Sequence, residues 1–220
     1  MKALWLVIVF LTGCANAKEF LKTDEQQDAM AALFVANPTP NWTGRSFKDK
    51  CYPCNAVFVA DRLAVTSIAC FPPEKEGTRV YDLNTIVLEN KERRFTVENV
   101  FFAEEASLVF LRTEEKGKPI YFDQKEVSYG EHLRLTGLAI SGFRRFSQME
   151  DMVIATATRF GNEQAGEFFI VRLEIADKVN GTALFRQIGD FVGIIVGSEN
   201  GRALVVPVDV LQREIQKIDL

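Results

Sequence analysis

From residue 51 onward, the sequence consists of short β-type runs separated by turn residues. Val, Ile, Leu, Phe and Thr are concentrated in these runs, and Gly, Pro, Asn and Asp stand between them. The clear examples span residues 56–60, 63–67, 85–88, 95–102, 108–112, 133–138, 153–160, 168–173, 191–196 and 203–206. Many short runs of this kind predict an all-β protein built as a barrel or a sandwich.

The series of strands has a break near its middle and a different pattern at its end. Lys116-Gly117-Lys118-Pro119 interrupts the β-type pattern about midway, because Gly and Pro favour turns. It predicts a crossing between a first half at 51–117 and a second half at 118–220. The second half ends with the N-cap type residue Asp209 followed by apolar residues near helical spacing. We therefore predict a C-terminal helix over 209–220, packed on the second half.

Residues 18–50 precede the strands and are predicted to form a helix followed by an arm. After a polar start, residues 29–35 are Ala-Met-Ala-Ala-Leu-Phe-Val, which favours a short helix. Pro38 and Pro40 cannot continue that helix, so the arm begins there. Trp42 and Phe47 favour packing of the arm over the first half rather than disorder.

The first 17 residues have the composition of an export signal. An apolar run over 3–11, too short to span a bilayer, follows Lys2 and precedes small residues. Leu11-Thr12-Gly13-Cys14 matches a bacterial lipobox with lipidation at Cys14, whereas Ala15-Asn16-Ala17 matches a cleavage site after Ala17. Both interpretations stay open, and we favour the lipobox. Either predicts an exported protein, in the periplasm or cell envelope or secreted, which contacts a membrane only through a lipid anchor.

Composition and charge narrow the function further. With 47% hydrophobic residues and 18 phenylalanines, the 220-residue chain can bury the core of one large domain or two small barrels. The net charge of −4 and the lack of a basic stripe exclude the electrostatic footprint of a nucleic-acid-binding protein. One histidine and the cysteines after the signal do not form the paired ligands of a zinc site. The sequence predicts no metal and no cofactor, and it does not indicate an oligomeric state.

The most specific pattern is the segment 54–70, which begins with Cys54 and ends Thr66-Ser67-Ile68-Ala69-Cys70. It resembles a unit of trypsin-like and bacterial HtrA-like serine proteases that opens with a cysteine and ends Thr-Ala-Ala-His-Cys. Ala69 stands at the position of the catalytic histidine. The resemblance also implies a disulfide between Cys54 and Cys70, of a kind that stabilises folded proteins by about 2–4 kcal/mol.

Two further segments resemble the same family and follow in the same order. Ser107-Leu108-Val109-Phe110-Leu111-Arg112 corresponds to Asp-Leu-Ala-Leu-Leu-Lys, with Ser107 in place of the aspartate and Glu104 and Glu105 just upstream. Residues 178–185 correspond to Gly-Asn-Ser-Gly-Gly-Pro-Leu-Phe, which places Asn180 at the nucleophile. A Gly-x-x-x-Gly-Ile strand at 189–194 and the ending at 205–211 continue the resemblance. Together these segments imply a trypsin-like double six-stranded β-barrel.

All three positions of the Ser-His-Asp triad are thus replaced, by Ala69, Ser107 and Asn180. Alanine cannot accept the proton of a serine hydroxyl, so the standard triad chemistry is excluded. The loop that forms the oxyanion site in the family corresponds here to Lys178, Val179, Asn180 and Gly181, and Lys178 replaces a glycine that tolerates positive φ. His132 is the only histidine, and it is interpreted as an ordinary residue of a predicted strand.

These observations support one function hypothesis and leave two others open. The favoured one is an exported, non-catalytic homologue of trypsin-like serine proteases that binds a peptide or protein ligand, for example by adding an extended peptide to a strand edge. The alternative is a serine endopeptidase with an unorthodox or differently aligned site, using Thr182 or a serine paired with Lys178. The third is a thiol-dependent envelope factor that uses Cys51, which is a free thiol, an alternative bridge partner or part of a Cys51-Tyr52-Pro53-Cys54 redox motif.

Overall fold

The computed structural model describes residues 28–36, 51–71, 82–122, 125–141, 145–162, 166–173, 179–186 and 189–218. In chain order its strands are β1 (Met30–Ala36), β2 (Cys51–Ala60), β3 (Leu63–Ser67), β4 (Ile86–Glu89), β5 (Arg94–Phe95), β6 (Val97–Ala103), β7 (Leu108–Thr113), β8 (His132–Ser141), β9 (Arg145–Asn162), β10 (Gly166–Arg172), β11 (Ala183–Arg186), β12 (Phe191–Glu199) and β13 (Arg202–Pro207). Helix α1 (Val208–Gln216) follows β13 directly. Within these ranges no helix is both long and apolar enough to cross a lipid bilayer. The predicted export signal with Cys14, and residues 37–50 of the predicted arm, lie outside them.

The strands form two antiparallel sheets. Strands β1 to β7 form a seven-stranded sheet in the order β5-β4-β1-β2-β3-β7-β6. Strands β8 to β13 form a closed barrel in the order β10-β13-β12-β11-β8-β9. The predicted all-β architecture of two barrel-like halves with a C-terminal helix is therefore confirmed.

Apolar side chains are buried in three clusters. Leu33 and Phe58 pack inside the first sheet, whereas Phe34 and Val57 join Phe185 of the barrel in a cluster shared by the two sheets. This division follows from the period of a strand, because successive side chains point to opposite faces. A third cluster fills the closed barrel. Each half thus has its own core, and the shared cluster holds the two halves together.

Strand β1 corrects the prediction of a helix over residues 29–35. Met30–Ala36 lies between β2 and β4, with Leu33 opposite Cys54 on one side and Leu88 on the other. Its side chains are buried on both faces, so the segment lacks the alternation of a half-buried strand. A short run that is apolar throughout fits either a buried helix or a buried strand. Here the segment is a strand, because it pairs with β2 and β4. The first sheet therefore begins at Met30 rather than at residue 51, and it has seven strands instead of six.

The connection between the halves and the C-terminal helix lie close to their predicted positions. Lys116-Gly117-Lys118-Pro119 falls between β7 and β8. Helix α1 has Pro207 at its N-cap position, so Asp209 lies in the first turn instead of capping the helix as predicted. The helix starts one residue earlier because β13 ends at Pro207, and a carboxylate in the first turn still complements the helix dipole. Val208 and Leu211 anchor α1 in the shared cluster.

Candidate functional site

The segment around Ala69 is held by a hydroxyl at the end of β3. Ser67 is buried, and its Oγ donates a hydrogen bond to the carbonyl of Val196 in β12 (2.6 Å) and accepts one from the N–H of Ala69 (3.0 Å). This contact caps a short 3-10 turn at Ile68–Cys70. The disulfide between Cys54 and Cys70, which is confirmed, links the turn to β2. The methyl group of Ala69 remains exposed.

Ser107 lies next to this turn. It is the last residue of the turn between β6 and β7, with a φ of 56°, and its carbonyl accepts a hydrogen bond from the N–H of Ile68 (2.9 Å). Glu104 and Glu105 are exposed in the same turn. Since Ser67 pairs with the first residue of β7, the bond from Ile68 extends the β3-β7 ladder by one step. The structure therefore places Ala69 and Ser107 at the ends of neighbouring strands.

Asn180 contacts the first sheet through a tight turn that precedes β11. Its carbonyl accepts a hydrogen bond from the N–H of Asn55 in β2 (3.0 Å). Gly181, with a φ of 77°, donates its N–H to the carbonyl of Ile195 (2.7 Å). A Cβ on Gly181 would collide with the carbonyl oxygen of Asn55. Only glycine fits here, because both the backbone conformation and the available space exclude a side chain.

Polar residues connect these positions at a junction between the two sheets, which we define by Asn55, Thr66, Ser67, Asn180 and Thr182. The Nδ2 of Asn55 donates to Oγ1 of Thr182 (3.2 Å), and its Oδ1 accepts a hydrogen bond from the N–H of Leu138 (2.7 Å). The hydroxyl of Thr66 donates to the carbonyl of Asn55 (2.6 Å). Hydrogen bonds in this region therefore involve the segments of all three residues that the sequence singled out, Ala69, Ser107 and Asn180.

Two buried oxygen atoms near the junction have no hydrogen-bond partner among the described residues. They are Oδ1 of Asn180 and Oγ1 of Thr136, which lies in β8 opposite Ala183. Such atoms are uncommon, because a buried polar atom left without a partner costs about 1–3 kcal/mol. Within the described part of the chain, both oxygens keep lone pairs without a donor, and neither is exposed to solvent.

His132 does not lie at the junction. It is exposed at the start of β8, whereas the β8 residues nearest the junction are Thr136 and Leu138. At a rise of about 3.3 Å per residue, His132 lies roughly 13–20 Å from them along the strand. The other residue considered for proton transfer, Lys178, lies outside the described residues.

The hydroxyl groups of the junction are buried and hydrogen-bonded. Thr182, the alternative nucleophile, is 0% exposed, and its Oγ1 is bonded to Asn55. The side chains of the junction are amides and hydroxyls, which do not accept a proton from another hydroxyl at neutral pH. Among the described residues, no group of three or more His, Cys, Asp or Glu side chains could hold a metal ion.

Asn55, Thr66 and Ser67 lie in the segment 54–70, but the sequence pattern assigned no role to their side chains. Each is a polar residue next to or within an apolar run that becomes a buried strand. Because a buried polar side chain needs a partner, this interruption is the signal that could have identified them. The Cys51-Tyr52-Pro53-Cys54 motif, in contrast, does not form its own bridge, since Cys54 is bonded to Cys70.

The fold of this chain is similar to that of a solved protease. The active form of the Rv3671c protease from M. tuberculosis matches with a TM-score of 0.65 at 11% sequence identity, over 90% of this chain and 83% of that chain. The inactive form matches with a TM-score of 0.62 at 10% identity, over 90% and 93% of the two chains. This chain has the trypsin-like fold.

The trypsin-like fold is recognisable here from structure and not from overall sequence similarity. No protein-family model matches the sequence, and no curated protein matches it either. At 10–11% identity, the similarity to the Rv3671c structures shows a shared fold and nothing about shared chemistry. The activity has to be argued from the residues at the junction.

Proposed function

We propose that this protein is an exported homologue of trypsin-like serine proteases that binds a peptide or protein in the cell envelope and does not cleave it with a Ser-His-Asp triad. The observation that carries the proposal is Ala69, whose exposed methyl group stands where the family has its histidine. A methyl group cannot take up the proton that a serine releases during attack.

The other residues at this site support the same conclusion. Asn180 supplies an amide, which is neither a nucleophile nor a base. The hydroxyls of Ser67 and Thr182 are buried and hydrogen-bonded, so a substrate carbonyl does not reach them. His132 is on another part of the barrel and does not compensate for the loss at position 69.

The site retains features that suit binding. The small side chain of Ala69 leaves the surface beside it open to an extended peptide. The Cys54–Cys70 disulfide is compatible with an oxidising compartment outside the cytoplasm, as is the N-terminal signal. These properties are those of a receptor for peptides built on a protease fold.

Activity-based labelling tests the lack of triad chemistry. The protein is produced with its own N-terminal sequence, purified after processing and treated with a fluorophosphonate probe, beside trypsin as a positive control. We expect no labelling, because no base activates a hydroxyl of the junction. Labelling that disappears when one serine or threonine is changed to alanine would overturn the proposal and identify the nucleophile.

A substitution at Ala69 tests the binding role. Random heptapeptides displayed on phage are selected on the wild-type protein and then titrated against the Ala69→Trp and Glu92→Trp variants. An indole ring at the exposed position 69 covers the site without entering the core, so we expect affinity to fall by at least about tenfold. Glu92→Trp adds the same ring in the exposed turn between β4 and β5 and serves as the control. Equal affinities for both variants would contradict binding at the junction.

A further inference from the structure

A cleft on the closed barrel lies outside the junction. It has a volume of about 740 Å³ and is bounded by β9, β10 and the turn between β12 and β13. Arg172 and Arg202 line it together with Thr156, Ile170 and Asn200, and none of its lining residues within the described ranges is acidic. A cationic cleft on a chain with a net charge of −4 is a local feature rather than a result of overall composition.

Arg172 and Arg202 are directly opposite each other on β10 and β13. Both are exposed, and neither guanidinium forms an ion pair or a hydrogen bond with any residue in the described ranges. Like charges directly opposite each other destabilise an antiparallel pair of strands. The two arginines therefore place two positive charges side by side, and an anionic ligand would reduce the repulsion between them.

The residues that flank Arg172 and Arg202 on the neighbouring strands are apolar on one side and acidic on the other. Ile154 of β9 is opposite Arg172 and is 39% exposed, which is high for a large apolar side chain. Glu199 of β12 is opposite Arg202, but its carboxylate lies against the side-chain amide of Asn200 (3.4 Å). The cleft thus combines two guanidinium groups with the apolar side chain of Ile170, and Ile154 lies next to it, beside Arg172, without lining it.

A tight turn and an irregularity of the β9-β10 ladder shape the walls of the cleft. Asn200 and Gly201 form a tight turn with φ values of 51° and 73°, the conformation that Asn-Gly hairpin turns require. The N–H of Leu173 donates a hydrogen bond to the carbonyl of Gly201 (2.9 Å), which fastens this turn to the end of β10. On the opposite wall, Thr156 lies at an irregularity of the β9-β10 ladder, where bulges redirect side chains.

We propose that this cleft binds an acidic peptide segment of a partner protein, with carboxylates on Arg172 and Arg202 and an apolar side chain against Ile154 and Ile170. The planar guanidinium of arginine matches a carboxylate with two parallel hydrogen bonds. The volume accommodates several peptide residues, which is far more than a single inorganic anion requires. Among the described residues that line the cleft there is no lysine, and two arginines are fewer charges than the dense basic surfaces that bind anionic membranes or nucleic acids present.

This inference goes beyond the function proposed for the junction. The cleft residues belong to β9, β10, the β12-β13 turn and the start of β13, whereas the junction is built from β2, β3 and the turn before β11. Variants at the two arginines leave the junction unchanged, and Ala69→Trp leaves the cleft unchanged. The two binding sites can therefore fail independently.

Fluorescence anisotropy with a matched pair of peptides tests the cleft. Fluorescein-labelled Ser-Glu-Leu-Asp-Glu-Leu and its neutral counterpart Ser-Gln-Leu-Asn-Gln-Leu, both amidated, are titrated with the processed full-length protein. We expect only the acidic peptide to bind, and the Arg172→Gln/Arg202→Gln variant to bind it at least about tenfold more weakly. Arg62→Gln/Arg213→Gln removes the same charge from exposed positions elsewhere and should retain wild-type affinity.

Thermal melting separates a loss of binding from a loss of folding. Without peptide, the Arg172→Gln/Arg202→Gln variant should melt at the same temperature as the wild type or higher, because the repulsion between the arginines is removed. Three results would overturn the proposal: no binding of the acidic peptide at millimolar concentration, equal binding of the neutral peptide, or equal losses in the two double variants. Sedimentation with phosphatidylglycerol vesicles through the same arginines, without peptide binding, would also overturn it and assign the cleft to a membrane surface.

Discussion

At the scale of single residues, two glycines with the same backbone conformation have different roles. Gly181 and Gly130 both have positive φ values, of 77° and 79°. Space around Gly130 is open, whereas a Cβ on Gly181 would collide with the carbonyl oxygen of Asn55. Gly130 therefore supplies conformational freedom alone, and Gly181 also permits the close approach of the Asn180 turn to β2.

The same substitution should consequently have unequal effects at the two glycines. Gly130→Ala is expected to lower the free energy of unfolding by about 1 kcal/mol, the cost of a left-handed backbone for alanine. Gly181→Ala is expected to lower it by more than about 3 kcal/mol, because the turn must also move away from β2. Urea denaturation of both variants measures the difference, and equal losses would show that the turn moves without penalty.

At the scale of elements, Glu115 fastens the segment after β7 to the residue that precedes β6. Its carboxylate accepts hydrogen bonds from the N–H (2.7 Å) and the hydroxyl (3.0 Å) of Thr96. Partial burial acts to raise the pKa of Glu115, but these hydrogen bonds and the nearby Arg93 charge outweigh it and hold the pKa below its usual value. The contribution of such a carboxylate is complete above its ordinary pKa and is lost as the pH falls through the lowered, folded-state pKa.

Replacing Glu115 should therefore change stability in a pH-dependent way. We expect Glu115→Gln to lower the free energy of unfolding by about 0.5 kcal/mol at pH 7, a small value because the group is partly solvated. The difference from wild type should vanish in acid, once the carboxyl is protonated in the folded state. Urea denaturation at a series of pH values measures it, with Glu114→Gln at the exposed neighbouring position as the control. A difference that persists unchanged in acid would mean that the charge of Glu115 is not responsible.

At the scale of the whole molecule, the shared cluster and the junction couple the two sheets. Apolar residues of both sheets form the shared cluster, and the side chain of Asn55 bridges β2 to Leu138 and Thr182 of the barrel. Asn55 is only 3% exposed, so water does not readily replace its hydrogen bonds. The two sheets should therefore unfold in one cooperative transition.

Truncation of Asn55 tests this coupling. Asn55→Ala is expected to reduce the free energy of unfolding by about 2–4 kcal/mol, because it leaves buried groups of the barrel without partners. Asn90→Ala removes an asparagine that also accepts two hydrogen bonds, from the N–H groups of Glu92 and Arg93, but in an exposed turn. Its loss should be about 1 kcal/mol or less, since water can replace the amide. Denaturation followed by both circular dichroism and tryptophan fluorescence measures the two losses, and similar values would contradict a special role for Asn55.

Most of the strands could be predicted, because the β-favouring residues within them and the turn residues between them are local features of the sequence. The run at 63–67 coincides with β3, and the run at 108–112 lies within β7. The prediction was wrong for β1, whose two buried faces erase the alternation, and the pattern does not identify β11, which has only four residues. Both adopt the extended conformation because each is hydrogen-bonded to a strand on either side.

The candidate site could be named from the sequence but not assembled from it. Ala69, Ser107 and Asn180 stand in motifs that a family resemblance identifies by residue type and order. The hydrogen bonds between these motifs could not be predicted, because a bond such as that from Asn55 to Thr182 connects positions 127 residues apart. No local pattern records which distant polar groups meet when two sheets pack.

By itself, the sequence determined an all-β chain in two halves, since this depends on local pattern. It also predicted, from residue identity within one motif, that Ala69 stands in place of a catalytic histidine. Tertiary structure alone decided that β1 is a strand, that the junction residues form one network, and that Arg172 and Arg202 lie opposite each other. The physical reason is register. Burial of both sheets and the hydrogen bonds between strands determine which distant side chains share a face, and that choice is not contained in any single segment.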